Sequence, residues 1–161
     1  MTAAEYNLCV EDFADGIYRF ILKNLNDQDN AKDVVQDTYE KLWVKLETVS
    51  FEKAKSYLFT TAYHTMIDLI RKEKRVAGLE NINHIEYIHT NQYSDLNEVL
   101  HEAIEKLPAV QRSVILLRDY EGYSYEEIAK ITDLSESQVK VYIFRGRMFL
   151  KQYIGSLENV L

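Results

Sequence analysis

The run Ser124-Tyr-Glu-Glu-Ile-Ala-Lys-Ile-Thr-Asp-Leu-Ser-Glu-Ser-Gln-Val-Lys140 decides the fold. Ser124 stands three residues before Glu127, so a hydroxyl N-cap and a reciprocating carboxylate form a capping box. Glu126 and Glu127 also complement the positive end of the helix dipole. Ile128 and Ala129 then lead through Asp133, Leu134 and Ser135 to Val139, the spacing of a helix-turn-helix. In that motif small Ala129 lets the two helices approach and Val139 packs from the second one. Ordinary antiparallel helix pairs share the spacing, so the run alone leaves both open. The second helix is predicted from Glu136 to about Ile154. At about 100° per residue, Val139, Ile143, Gly146 and Leu150 fall on one core-facing stripe. Nearly opposite lie Lys140, Val141, Phe144, Arg145 and Met148, with Arg147 to one side. In a DNA major groove Lys or Arg donates to guanine edges and phosphates, and an aromatic or Val lies on thymine methyls. Packing of Phe144 on a neighbouring helix is the alternative.

Upstream, the apolar periodicity predicts a helix from Pro108 to about Tyr120 with Pro108 in its first turn, and another from Leu96 to Lys106. Before them, from Val76 to Asp95, periodicity fails. Gly78, Asn81, Asn83 and Asn91 with two His and two Tyr make a polar stretch that reads as a flexible linker. Three more helices precede it. Leu8, Phe13, Ile17, Phe20 and Ile21 place one from Tyr6 to Leu25, followed by a polar break over Asn26 to Asn30. A second runs from Ala31 to Leu46. A third starts between Phe51 and Ala54 and continues to Arg75, because Leu58, Ala62, Met66 and Leu69 recur every three or four residues. The expected fold is all-α. It comprises a three-helix module over 1–77, a linker over 78–95 that leaves the modules untethered, and a four-helix module over 96–161. Five Gly and one Pro in 161 residues, with 47% hydrophobic and 28% charged side chains, agree with long helices around a buried core. Single Cys9 makes no internal disulfide, and no basic start with an apolar run follows Met1. No apolar stretch approaches a membrane span, so the expected place is a reducing cytoplasm with no membrane insertion.

The net charge of -7 conceals an arrangement. Residues 51–77 carry 6 basic and 3 acidic side chains and residues 136–161 carry 4 and 2, whereas 1–50 and 78–135 are strongly acidic. Two cationic segments in an acidic chain fit two separate polyanion contacts; solvated helix ends are the alternative. On the second helix, Ala31, Val34, Val35, Thr38, Leu42 and Leu46 make the buried stripe. Asp33, Gln36, Asp37 and Glu40 share the opposite face, which is too acidic for DNA and reads on its own as a solvated surface. On the third helix, Tyr57, Thr61, His64, Asp68, Arg71 and Arg75 line the outer side, with Lys72 beside them. Aromatics interleaved with cations suit single-stranded or opened DNA, where rings stack on bases and guanidinium groups hold phosphates. Half-buried rings and snorkelling cations would look the same.

The run Ala31-Lys-Asp-Val-Val-Gln-Asp-Thr-Tyr-Glu-Lys-Leu-Trp43, with Ser56-Tyr-Leu-Phe-Thr-Thr-Ala62 and Ile67-Asp-Leu-Ile-Arg-Lys72, resembles region two of the extracytoplasmic-function (ECF) sigma factors of bacterial RNA polymerase. Leu107-Pro108, Arg112, Leu116-Leu-Arg118, Glu121-Gly122, Ser124 to Ala129, Val139-Lys140, Arg145 and Arg147 are similar to their region four. The resemblance covers both modules in order, nearly the whole chain. It implies a promoter-specificity subunit with no catalysis of its own, no cofactor, no bound metal and no small-molecule substrate. Its partners would be core RNA polymerase, promoter DNA and an anti-sigma factor. The acidic face of Asp33, Gln36, Asp37 and Glu40 would dock on the clamp helices of the largest catalytic subunit. Tyr57, Thr61, His64, Arg71, Lys72 and Arg75, with the loop from Glu47 to Lys55, would read the minus-ten element and hold a base flipped from the opening duplex. Ser137, Lys140, Val141, Phe144, Arg145 and Arg147 would read the minus-thirty-five element. Three places depart from the family pattern: Tyr63-His64 where Arg-Asn is usual, Thr132-Asp133 where an apolar residue and Gly are usual, and Val141-Tyr142 where Ser-Arg is common.

A stand-alone helix-turn-helix regulator is the nearest rival, and it would dimerise on a palindrome. An enzyme has little support, since Cys9 is alone and no phosphate-cradling Gly loop occurs. His84, Glu86 and His89 could be sketched as metal ligands but read as solvated residues of the linker.

Overall fold

The computed structural model describes residues 1–80 and 96–158, and these are helical throughout apart from short turns. Helix α1 (Ala3–Leu25) opens on a capping box that the periodicity did not register: Thr2 Oγ1 accepts from the Glu5 amide at 3.1 Å, and the Glu5 carboxylate accepts from the Thr2 amide at 3.2 Å. It ends at Asn26, whose left-handed φ of 51° returns its N–H to the Leu22 carbonyl. Asp27 then caps α2 (Gln28–Val44) through the Asn30 amide at 3.0 Å. The expected five-residue break is therefore only a two-residue turn, because the polar Gln28, Asp29 and Asn30 form the first turn of the helix that Asp27 caps. A single 3₁₀ turn, Phe51–Lys53, leads into α3 (Ala54–Glu80). That helix continues past the expected end at Arg75, and Val76 to Glu80 are helix. His84, Glu86 and His89 lie outside the described residues.

The first module closes by packing α1, α2 and α3 against one another. Ile17, Phe20 and Ile21 meet Ala31, Val34 and Leu42, with Leu58, Ala62 and Met66 from α3. Four positions differ from expectation. Leu8 is exposed and Cys9 takes its place in the core. Tyr39 is buried where only Thr38 and Leu42 were expected, since its hydroxyl crosses to donate to the Cys9 carbonyl at 2.8 Å. Val35 and Leu46 are half-buried.

The second module contains α4 (Leu96–Lys106), α5 (Ala109–Ile115), a single π turn over Leu116–Tyr120, α6 (Tyr125–Thr132) and α7 (Glu136–Glu158). Pro108 lies one residue before α5, at the cap and outside the first turn. Helix α7 crosses α4, α5 and α6. Its passage over α5 is close: a Cβ on Gly146 would collide with Ile115 Cδ1. Ser124 and Glu127 form the expected capping box. Asp133 takes the left-handed conformation, φ 57°, that the tight turn requires. A second box that the sequence reading passed over starts α7: the Gln138 amide donates to Ser135 Oγ at 3.1 Å and the Ser135 amide to Gln138 Oε1 at 2.9 Å.

The expectation of two untethered modules is corrected here. Buried side chains of both modules form one continuous cluster from Cys9 to Ile143, and α3 lies along α6. Phe59, Tyr63 and Ile67, each four residues apart, are buried beside the Leu58, Ala62 and Met66 stripe, so α3 buries a double-width arc with a second module on its far side. The Phe59 ring meets Tyr123 at 5.3 Å. Around this contact the seam is polar. Arg19 grips Glu121 with two bonds at 3.1 and 3.0 Å. Ser113 donates to the buried Asn24 side chain at 2.9 Å and Arg112 donates to the Asn24 carbonyl. Lys23 rests on the Tyr120 ring at 3.6 Å. Burial pushes the Tyr123 phenol up and the Arg112 guanidinium down. Among the described residues Tyr123 Oη and Arg112 Nε have no hydrogen-bond partner.

Candidate functional site

Three surfaces carry the residues singled out from the sequence, each on a different helix. On α2, Asp33, Gln36 and Glu40 are exposed and Asp37 is half-buried. The face is partly self-paired: Gln36 donates to Glu40 at 3.4 Å and Lys41 reaches Asp37 at 3.1 Å. It does not end where the acidic residues do. Val44, 83% exposed, continues the row of three- and four-residue steps through Asp33, Asp37 and Glu40, and Trp43, 53% exposed, lies one heptad beyond Gln36. The Tyr6 ring stands edge-on to Trp43 at 5.0 Å, while its hydroxyl donates to the Tyr39 carbonyl at 3.1 Å. The indole is therefore held in place from behind. A large aromatic fixed in water beside an 83% exposed Val is the pattern of an interface anchor. Helical spacing from Gln36 and Glu40 was the signal that could have found Trp43 and Val44.

On α3, His64, Asp68, Arg71, Lys72 and Arg75 are exposed along one side, with Tyr57 and Thr61 half-buried at its start. Asp68, Arg71, Lys74 and Arg75 frame a shallow groove near the C-terminal end of this row. Lys45, from the turn after α2, approaches the Tyr57 ring at 5.9 Å. The loop before α3 is brought to the same end of the helix, with Phe51 exposed beside it. Tyr63, next to His64 in sequence, is buried in the seam and its phenol is pushed up by desolvation, so this ring cannot stack on a base in the arrangement described.

On α7, Val139, Ile143 and Gly146 are buried and Leu150 is half-buried, as the stripe predicted. Ser137, Lys140, Val141, Phe144 and Arg145 are exposed, which excludes the alternative that Phe144 packs on a neighbouring helix. Lys140 stands 3.8 Å from Glu136, one turn back. Arg147 differs from the rest. Its guanidinium binds Asp119 at 2.6 and 3.4 Å, and this bond holds it above the usual arginine range. It clamps the π turn onto α7, and only its remaining N–H groups are left for another partner. Asp119 lies beside Tyr120 and Glu121, the residues that meet α1 across the seam.

Residues 9–76 match the family described as Sigma-70 region 2, and residues 97–150 match Sigma-70, region 4. The RNA polymerase sigma factor SigV of Bacillus subtilis (strain 168) is 32% identical over 146 residues, covering 89% of this chain and 87% of that protein. The chain belongs to the sigma-70 family, in its ECF group. A sigma factor directs core RNA polymerase to specific promoters for transcription initiation, and both regions for that work are present in order. The ECF RNA polymerase sigma factor SigM of Bacillus subtilis (strain 168) is 27% identical over 145 residues, 86% of this chain and 88% of that one. Among solved structures, the sigma factor RpoE of Bartonella quintana, in complex with the anti-sigma factor NepR, superposes with a TM-score of 0.79 at 27% identity over 93% of this chain and 96% of that one. A superposition spanning both regions shows that their placement against each other is similar in the two proteins. Among the described residues, no helix is long and apolar enough to cross a membrane.

Proposed function

We propose that α2 carries the polymerase dock of this sigma factor, α3 the minus-ten reader and α7 the minus-thirty-five reader, and that the seam between the regions holds the readers in a silent state. The division into region 2 over 1–77 and region 4 over 96–161, with 78–95 between, belongs to this reading. The protein acts in the cytoplasm and performs no catalysis of its own. Asp33, Gln36, Asp37, Glu40, Trp43 and Val44 form the dock. Tyr57, Thr61, His64, Arg71, Lys72 and Arg75 meet the opening strand, with guanidinium and ammonium groups on phosphates. Ser137, Lys140, Val141, Phe144 and Arg145 enter the major groove, and Arg147 steadies their helix.

The observation that carries the silent state is the packing of α3 on α6. Helices in contact are about 8–10 Å apart. Elements 25 base pairs apart on straight duplex are separated by about 85 Å at 3.4 Å per pair. The two heads therefore cannot read both elements while the seam is closed. Core polymerase separates them by binding region 2 and region 4 at distant places. An anti-sigma factor fits the opposite role: the relative that shares this arrangement is bound to one, and a partner that holds the seam shut keeps the protein silent.

Reconstituted transcription tests the assignment. Asp37→Arg with Gln36→Ala should lose core polymerase at unchanged helicity. Arg71→Ala with Arg75→Ala should leave core binding intact and impair strand opening in permanganate footprints, and Lys140→Ala or Arg145→Ala should weaken initiation according to upstream sequence. Normal melting with both arginines gone would remove α3 from the reading.

A further inference from the structure

We infer that the groove between α1 and α4 is a binding site for a small organic cation with an apolar body, an aryl- or alkylammonium, which clasps region 2 to region 4. Its effect on activity rests on the silent closed state proposed above. The groove has a volume of 460 Å³, inside the range of about 300–1,000 Å³ typical of small-molecule sites, which form preferentially where two domains meet. Tyr18 and Leu22, one turn apart on α1, are half-buried and give it an apolar lining. Glu98, His101, Glu102 and Glu105 follow one another by steps of one to three residues and line the α4 wall. Because one wall belongs to each region, the groove exists only while the seam is closed.

The charges on the two walls select the occupant. Both cations of the α1 wall are engaged elsewhere: Arg19 holds Glu121 with two bonds, and Lys23 rests on the Tyr120 ring. On the α4 wall, Glu105 faces the Arg112 guanidinium. Half-buried Glu98 and exposed Glu102 have no ion-pair partner among the described residues. The unmatched charge of the groove is therefore negative, and it shares the groove with Tyr18 and Leu22. A ligand that fits both carries an ammonium group for the carboxylates and an aromatic or aliphatic body for the α1 wall. A carboxylate or phosphate ligand would meet the two glutamates with like charge. The chain's own residues 81–95 do not complement the groove, since they contain Glu86 and Asp95 and no Lys or Arg. A protein helix is about 10–12 Å across and rises about 5.4 Å per turn, so the groove holds roughly one turn of it, too little to anchor a helix.

Three probes of one shape test this on the full chain, labelled for NMR. Phenylpropylammonium should shift the amide resonances of Leu22 and Glu102 with a dissociation constant of about 1 mM, ordinary for a ligand of about ten heavy atoms. Phenylpropanol, the neutral counterpart, should bind about fivefold more weakly, the effect of one part-exposed charge pair. Phenylpropanoate should leave both resonances in place. Glu98→Gln with Glu102→Gln should bring the amine down to the level of the alcohol. His101→Trp, a change at an exposed position lining the groove, should fill it and abolish the shifts with the circular dichroism spectrum unchanged. A ligand that binds only the closed state, at about ten times its dissociation constant, lowers the open fraction about tenfold. The core polymerase needed for half-saturation should then rise about tenfold, and should not rise for His101→Trp. Equal affinity for amine, alcohol and carboxylate overturns the cation assignment; shifts absent from Leu22 and Glu102, or kept in His101→Trp, overturn the site. An amine seated in the groove that leaves polymerase binding unchanged overturns the silent-state reading and leaves the site standing.

Discussion

The cores inside the two regions and the seam between them are made of different material. Within region 2, Ile17, Phe20, Ile21, Leu42, Leu58 and Met66 exclude water completely, and within region 4 Ile115, Leu117, Ile128 and Ile131 do the same. The seam has an apolar centre in Phe59, Tyr63 and Tyr123, but its margin is Asn24, Ser113, Arg112, Arg19 and Glu121. A hydrocarbon core loses everything when it opens. A polar margin exchanges its bonds for water, and Tyr123 Oη and Arg112 Nε gain partners they lack in the closed state. Separable interfaces between domains have this mixed composition. The contrast indicates that each region unfolds as a unit, whereas the pair parts without unfolding.

The largest expected effect is in a core. Leu58→Ala or Leu42→Ala should cost about 2–5 kcal/mol, read as a lower urea midpoint for region 2. A loss under about 0.5 kcal/mol would mean that the α1, α2 and α3 packing is not the stabilising core. Next comes the proposed dock on α2. Trp43→Ala should weaken core polymerase binding by about 2 kcal/mol or more, roughly thirtyfold, with the thermal midpoint nearly unchanged, because the indole is outside both core and seam. Seam variants should act on shape and leave helicity alone. Glu121→Arg sets like charges face to face with Arg19 and should raise the radius of gyration in solution scattering, and adding Arg19→Glu should restore the closed value. Failure of that second change to restore it would mean that the pair does not hold the seam. The smallest effect belongs to Arg19→Ala, about 1 kcal/mol or less, since half of that side chain is in water. Finally, the free chain should not shift promoter duplex at near-physiological salt. Its charge of -7 repels phosphate and the seam holds the heads too close. Specific nanomolar binding by the free chain would favour an autonomous regulator over a polymerase-dependent one.

Helix positions and the outward rows on α2, α3 and α7 were legible because they depend on periodicity and caps, which are local properties. Ser124 and Glu127 marked the start of α6 without reference to anything else. Where the reading missed, the cause was a neighbour distant in sequence. Tyr39 is buried because α1 offers the Cys9 carbonyl. Arg147 also clamps the π turn because Asp119, 28 residues earlier, reaches it. The double-width apolar arc of α3 could have been noticed in the spacing of Phe59, Tyr63 and Ile67, yet nothing local says what lies against it.

The sequence by itself determined an all-helical chain with an acidic face on α2 and cationic rows on α3 and α7, because helix period, capping and charge placement are written into runs of a few residues. Only the tertiary structure decided that the two regions lie against each other, α3 along α6. That outcome depends on groups as far apart as Asn24 and Ser113 or Arg19 and Glu121, whose pairing is a matter of the whole chain's closure and has no signature in the spacing of either one.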